Sequence, residues 1–303
     1  MADEHGARRA RQLIVVAACA ATLLAACYLI FVLTPVGQRW DDQALIGRLG
    51  HEHGAKTIRD LLDSIDRYSL IVMLVVLVVI ALARHRRWLA VASAAGFGGA
   101  VVSAELLKRV LPRPDLAPEF TQLISDKGID TFPSGHATIS TGFVLALVLV
   151  SRNTYRPIVA LLGLLWCSLI AVATVTAGWH RPSDAIGGIA LATAWMALSA
   201  GLLARRRGQI APSGLLDREV PWLALGALVV GIVSIAITVA TGSDARVPDG
   251  ISPWAFPIGL VLIDVTAVCA VGVFTWLLRD MQFGTAMHHA GMGSPIVDSR
   301  PAR

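Results

Sequence analysis

Charge is scarce in this chain of 303 residues: Asp, Glu, Lys and Arg make up 16% of it, against 55% hydrophobic residues. A water-soluble protein of this size rarely has that composition, and the mean hydropathy of +0.65 points the same way. Cysteine is scarce too. All four, Cys19, Cys27, Cys167 and Cys269, fall inside apolar runs, where they act as small apolar residues. That excludes a disulfide framework and a cysteine metal site. Internal repeats are missing, and so is any polar stretch with enough apolar content to fold as a soluble domain.

What the chain has is apolar length. Eight runs stand out, at 12–34, 68–84, 87–107, 136–151, 157–179, 184–204, 220–241 and 254–279. Runs of about 18 or more apolar residues read as membrane-spanning helices. The expected fold is therefore all-α: a polytopic transmembrane helical bundle. A core of six spans would occupy 1–207, two further spans 208–279, and a tail 280–303.

The net charge of +5 and the pI near 9.4 raise nucleic acid as a partner. The placement of the charges excludes it. Arg8, Arg9 and Arg11 precede the first run; Arg84, Arg86 and Arg87 follow the second; Arg152 and Arg156 follow the fourth; Arg205, Arg206 and Arg207 follow the sixth; Arg279 closes the eighth. With eight alternating spans these clusters share one side, which the positive-inside rule makes cytoplasmic, together with both termini. Spent on topology, they leave no contiguous basic patch for nucleic acid. The expected location is the cell membrane. Leu24-Ala25-Ala26-Cys27 resembles a lipoprotein cleavage box, but the apolar run continues through Leu33, so an uncleaved first span is expected.

Between the first two spans, 36–67 carries Leu45, Ile46 and Leu49, then Ile58, Leu61, Leu62 and Ile65, at helical spacing. This reads as one or two short amphipathic helices on the bilayer surface or capping the bundle. His51-Glu52-His53 between them reads as a solvated turn, since histidines two apart on a helix do not share a face. The proline-rich loop 109–135 has the length of a lid or rim. The loop 205–219 and the tail 280–303 read as connectors. Two acids fall within apolar runs. Glu105, one turn before Lys108, is placed to hold that lysine. Asp264, deep in the last run, is either functional or a hydrogen-bond acceptor for Ser234 or Thr238.

Three short strings carry chemistry: Lys108 with Arg113-Pro114; Pro133-Ser134-Gly135-His136; and His180 with Asp184. Each lies at the end of an apolar run, all on the face opposite the arginine clusters. Lys108 and Arg113 offer a point charge and a bidentate fork for phosphate. Pro133 to His136 opens a helix, where free amides and the helix dipole favour an anion, Gly135 permits close approach and Ser134 adds a hydroxyl. His136 would then stand beside the phosphate as an acid for the leaving oxygen. Asp184, four residues after His180, can orient that imidazole as a nucleophile.

These strings resemble the type 2 phosphatidic acid phosphatase family, whose pattern is Lys-x6-Arg-Pro, then Pro-Ser-Gly-His, then Ser-Arg-x5-His-x3-Asp. The resemblance covers about two thirds of the chain. It implies a six-span core, no metal or other cofactor, His180 as nucleophile, Asp184 as its orienter and His136 as general acid. Lys108, Arg113, Ser134 and Gly135 would cradle the phosphate. Two departures stand out. Four residues separate Lys108 from Arg113 instead of six, and Ala173-Thr174 stands where Ser-Arg is expected. Losing one such donor costs about 10²–10³ in rate when nothing replaces it. Arg181 is the first expected substitute and Arg109 the second.

The expectation is thus a lipid-phosphate phosphatase acting at the outer face on a polyprenyl or glycerolipid phosphate. A catalytically weak lipid-phosphate binder or partner protein is the alternative, as is a phosphotransferase using the same residues.

Overall fold

The computed structural model describes residues 2–51, 55–121, 132–210, 226, 229–231 and 249–283. Over these residues the chain is an all-α polytopic bundle. α1 (Ala2–Cys27) continues into a π-helical turn, Tyr28–Val32. α2 (Pro35–Gly47) starts at Thr34, whose hydroxyl accepts from Gly37 N at 3.1 Å, with Pro35 in the first turn. A 3₁₀ turn, Arg48–His51, follows it. α3 (Ala55–Asp63) meets α4 (Arg67–Ala83) at a 56° bend, and the Asp66 carboxylate caps α4 by accepting from Tyr68 N and Ser69 N. Then come α5 (Arg87–Val110), the single turn α6 (Pro118–Thr121), α7 (Gly135–Val150), α8 (Arg156–Thr176), α9 (Pro182–Arg207) and α10 (Ala255–Leu278).

Among the described residues five helices are long and apolar enough to cross a membrane: Gly6–Val32, Arg87–Val110, Asn153–Thr176, Pro182–Arg206 and Ala255–Leu278. A sixth forms if the bent α3–α4 pair counts as one span. The expected runs at 68–84 and 136–151 are helices of only 17 and 16 residues, because caps at Asp66, Ser134 and Ser151 stop them. The run at 220–241 lies largely outside the described residues.

α9 forms the axis, packed on α1, α5, α7 and α10. Its buried face is rich in Ala, and the fully enclosed Ile189 and Met196 join Leu145, Leu149 and Phe274 in one continuous core. Arg9, Arg84, Arg86 and Arg156 gather at one end. Arg84 donates to Val150 O and Arg86 to Phe283 O, while the buried Arg156 donates to Val148 O (3.2 Å), Met281 O (2.8 Å) and Leu278 O. Arg9 pairs with Asp280 at 2.8 Å. At this same end, two segments expected to be plain connectors pair as antiparallel strands, β1 (Gly208–Ile210) with β2 (Met281–Phe283). They leave α9 and α10 side by side, and pairing satisfies their backbone groups. The three motifs lie at the opposite end, where α5 finishes and α7 and α9 begin.

Candidate phosphate site

Lys108 occupies the last turn of α5, where Glu105 Oε1 accepts from its ammonium at 2.8 Å. The ammonium lies against the start of α7: a Cβ on Gly135 would stand 2.9 Å from Lys108 Nζ. Only glycine leaves room for that approach. The first two motifs therefore meet. Glu105 holds the lysine as its spacing predicts.

Arg113 follows α5 in a segment fastened to α2. Gln38 Nε2 donates to Pro114 O at 2.6 Å and to Val32 O at 2.7 Å, and its Oε1 accepts from Leu116 N at 3.0 Å. The Arg113 side chain is thereby sunk to 5% exposure, where Nη2 donates to Asp184 Oδ1 at 2.7 Å and lies 3.9 Å from Asp41 Oδ2. Its Nε and Nη1 are buried with no hydrogen-bond partner among the described residues. Two orphaned guanidinium donors are chemically suited to an oxyanion.

Ser134 caps α7, its Oγ accepting from Ala137 N, which leaves its hydroxyl hydrogen to donate elsewhere. Its own amide donates to Asp184 O at 2.9 Å, and Thr138 Oγ1 reaches both Ser134 O and Gly188 O. These bonds stitch the first turns of α7 and α9 together. His136 is half-buried, its ring 5.4 Å from that of Trp179 and tilted by 52°. It lies near the Leu62 backbone of α3, His180 and Lys108. The second and third motifs thus meet as well.

His180 ends a tight turn in which Trp179 N and His180 N both donate to Thr174 O, at 3.0 and 3.2 Å. Its Nδ1 lies 3.6 Å from Asp184 Oδ2, longer than a hydrogen bond. Asp184 is fully enclosed and shared, since Oδ2 also accepts from Arg181 N at 3.1 Å. Arg181 turns its side chain toward α2, where Nε donates to Asp42 Oδ1. Burial works to lower the Arg181 pKa, but the carboxylates of Asp42, Asp184 and Asp41 outweigh it and hold the group charged. Arg109 is exposed on α5.

The helix expected to cap the bundle does more than cap it. Gln38, Asp41 and Asp42, at i, i+3 and i+4, are all buried on one face of α2. Asp41 accepts from Ser183 Oγ at 2.5 Å and Ser183 N at 3.0 Å, in the first turn of α9. Burial pushes Asp41 up to about 7, with Arg113 opposing. Burial raises Asp42 as well, against the pull of Arg181. The sequence reading missed these two acids, and their helical spacing with Gln38 was the available signal.

Other expectations fall away from this cluster. Asp264 accepts from the Ser168 hydroxyl between α8 and α10; Ser234 and Thr238 lie outside the described residues, as do Glu52, His53 and loop residues 122–131. Among the described residues no three His, Cys, Asp or Glu side chains group as metal ligands.

No curated protein and no solved structure matches the chain. The family model of the PAP2 superfamily does, over residues 86–208, from the start of α5 to the end of α9. That interval contains all three motifs, while α2 lies outside it. Over residues 86–208, then, the chain is similar to the PAP2 superfamily.

Proposed function

We propose that the protein is an integral membrane phosphatase that hydrolyses a lipid phosphate through a phosphohistidine. The observation that carries this reading is the convergence of Lys108, Gly135, His136 and His180 at one end of the bundle, with Asp184 tied to Arg113. A phosphoryl group seated on the first turn of α7 would meet helix amides, the Ser134 hydroxyl, the Lys108 ammonium and the two unpartnered donors of Arg113.

His180 Nε2 attacks phosphorus while the bond to the lipid oxygen breaks, and His136 gives its proton to that oxygen. The imidazolium character developing on His180 draws Nδ1 toward Asp184 Oδ2, closing the 3.6 Å gap. Water then attacks phosphorus, the P–N bond breaks, and His136 takes up the proton from water. Inorganic phosphate and a lipid alcohol leave; for a diphosphate lipid, a lipid monophosphate leaves instead.

The arginine-rich end of the bundle supports a cytoplasmic location for both termini, and thus an active site on the extracytoplasmic face of the cell membrane. The substrate class follows from this setting: an amphiphile whose chains stay in the bilayer while its phosphate enters between helices. Phosphate release from phosphatidate, phosphatidylglycerophosphate and polyprenyl mono- and diphosphates, measured with EDTA for wild type and His180→Ala, tests the reading. Release that survives EDTA and disappears in the variant is expected. No release by wild type from any of these lipids would sink it.

A further inference from the structure

We infer that Arg48 supplies the guanidinium missing from the third motif, so the phosphate pocket is completed from the turn after α2. This rests on the phosphatase reading above. Where the related pattern has arginine, this chain has Thr174, fully buried, its hydroxyl turned back to Ala171 O at 2.7 Å. Thr174 therefore brings no charge to the loop that presents His180.

Arg48 does. It leads the 3₁₀ turn Arg48–His51, which packs on the end of α8. Gly178 sits two residues before His180 with φ +77°, and a Cβ there would lie 2.4 Å from Arg48 Nε, 2.5 Å from Cζ and 2.8 Å from Nη2. The guanidinium thus rests directly on the backbone of Gly178. Because Trp179 N and His180 N both return to Thr174 O, Gly178 and Thr174 belong to one closed loop. A cation from outside the motif arrives at the loop from which one has been lost.

The other arginines near the loop take different places. Arg181 turns to Asp42, Arg109 is exposed on α5, and Arg113 Nη2 is held by Asp184. Gly178 fits this arrangement twice, since its backbone conformation suits glycine and any side chain would collide with the guanidinium.

The test uses the full-length protein in detergent, with dioctanoyl phosphatidate as substrate and orthovanadate as a phosphate mimic. Arg48→Ala and Arg48→Gln should each lower kcat/KM by about 10²–10³ and weaken orthovanadate inhibition at least about tenfold, with the thermal midpoint retained. Arg48→Lys should recover only part, because a point charge does not reproduce the planar fork. Thr174→Arg added to Arg48→Ala should restore activity well above the single variant, a rescue that a purely structural role would not give. Wild-type kinetics and orthovanadate affinity in both neutral variants, with His180→Ala inactive, would overturn the inference and leave the phosphatase reading standing. If wild type itself releases no phosphate, the phosphatase reading fails. Thermal shift by orthovanadate then decides: a shift lost in Arg48→Gln supports an anion-binding Arg48, and an unchanged or absent shift overturns it. Loss of the fold in both neutral variants would make Arg48 structural and overturn it too.

Discussion

Arg113 and Asp184 form a buried ion pair at 2.7 Å, although 71 residues separate them in the chain. Arg113 comes from the segment after α5 and Asp184 from the first turn of α9. The same carboxylate faces His180. On the proposed mechanism, phosphate binding and orientation of the nucleophile would be coupled through one side chain.

Removing either partner leaves a buried charge uncompensated, which typically costs about 3–5 kcal/mol. Arg113→Ala and Asp184→Ala should each lower the thermal midpoint and abolish most activity, while the double variant should cost much less than the sum. A double-mutant cycle on stability and on kcat/KM checks this. Additive losses would mean that the two act independently.

His136→Ala should lower kcat on phosphatidate by about 10²–10⁴, the usual contribution of a positioned acid. In the pre-steady-state burst of leaving-group release, the loss should shrink sharply with p-nitrophenyl phosphate, whose leaving group departs without a proton. Equal losses on both substrates would place His136 in binding instead of proton transfer.

Gly135→Ala should raise KM about 10-fold or more, the equivalent of one charge-assisted hydrogen bond of about 1.5–3 kcal/mol. The new methyl displaces the Lys108 ammonium, which otherwise lies 2.9 Å from that position. Steady-state kinetics beside Lys108→Met gives the comparison: the two changes should resemble one another and not add.

Asp41 carries a pH signature. Its folded-state pKa is raised by burial to about 7, above its ordinary value of 3.8. Below 3.8 both folded and unfolded forms are protonated, and the protonated carboxyl's contribution to stability is fully present. Between about 4 and 7 the unfolded chain releases its proton first, so this contribution is lost as pH rises. Asp41→Asn removes the effect, and its thermal midpoint relative to wild type should climb from pH 5 to pH 8. A pH-independent difference would contradict the assignment.

The spans and the motifs were legible because both are local in sequence. Hydropathy locates α1, α5, α8, α9 and α10, and each motif lies within a short stretch at a helix end. α2 was legible only as a helix. Its apolar residues, Leu45 and Ile46, announced an amphipathic face, and polar residues on such a helix would ordinarily face water. Here Asp41 and Asp42 are buried because Ser183, Arg113 and Arg181 receive them, and Asp41 finds Ser183 across 142 residues of sequence. Pairing over that separation leaves no local trace. The same distance hides Arg48, which is ordinary in its own neighbourhood and informative only once Gly178 is beside it.

The shortness of α7 sets the depth of the site. Its 16 residues rise about 24 Å, against about 31 Å for the 21 residues of α8. α7 ends and α8 begins at the arginine end, where Arg156 of α8 donates to Val148 O of α7. α8 consequently climbs about one helical turn past Ser134 before the chain descends through Gly178 to His180. Ser134 and Gly135, at the start of α7, thus sit lower than the far end of α8. On the proposed phosphatase reading, a phosphate seated on Ser134 and Gly135 would lie deeper than the far end of α8. On that reading substrate choice would become a matter of plumb depth: a bare phosphomonoester could be lowered to His180, and a bulky headgroup would be stopped above it.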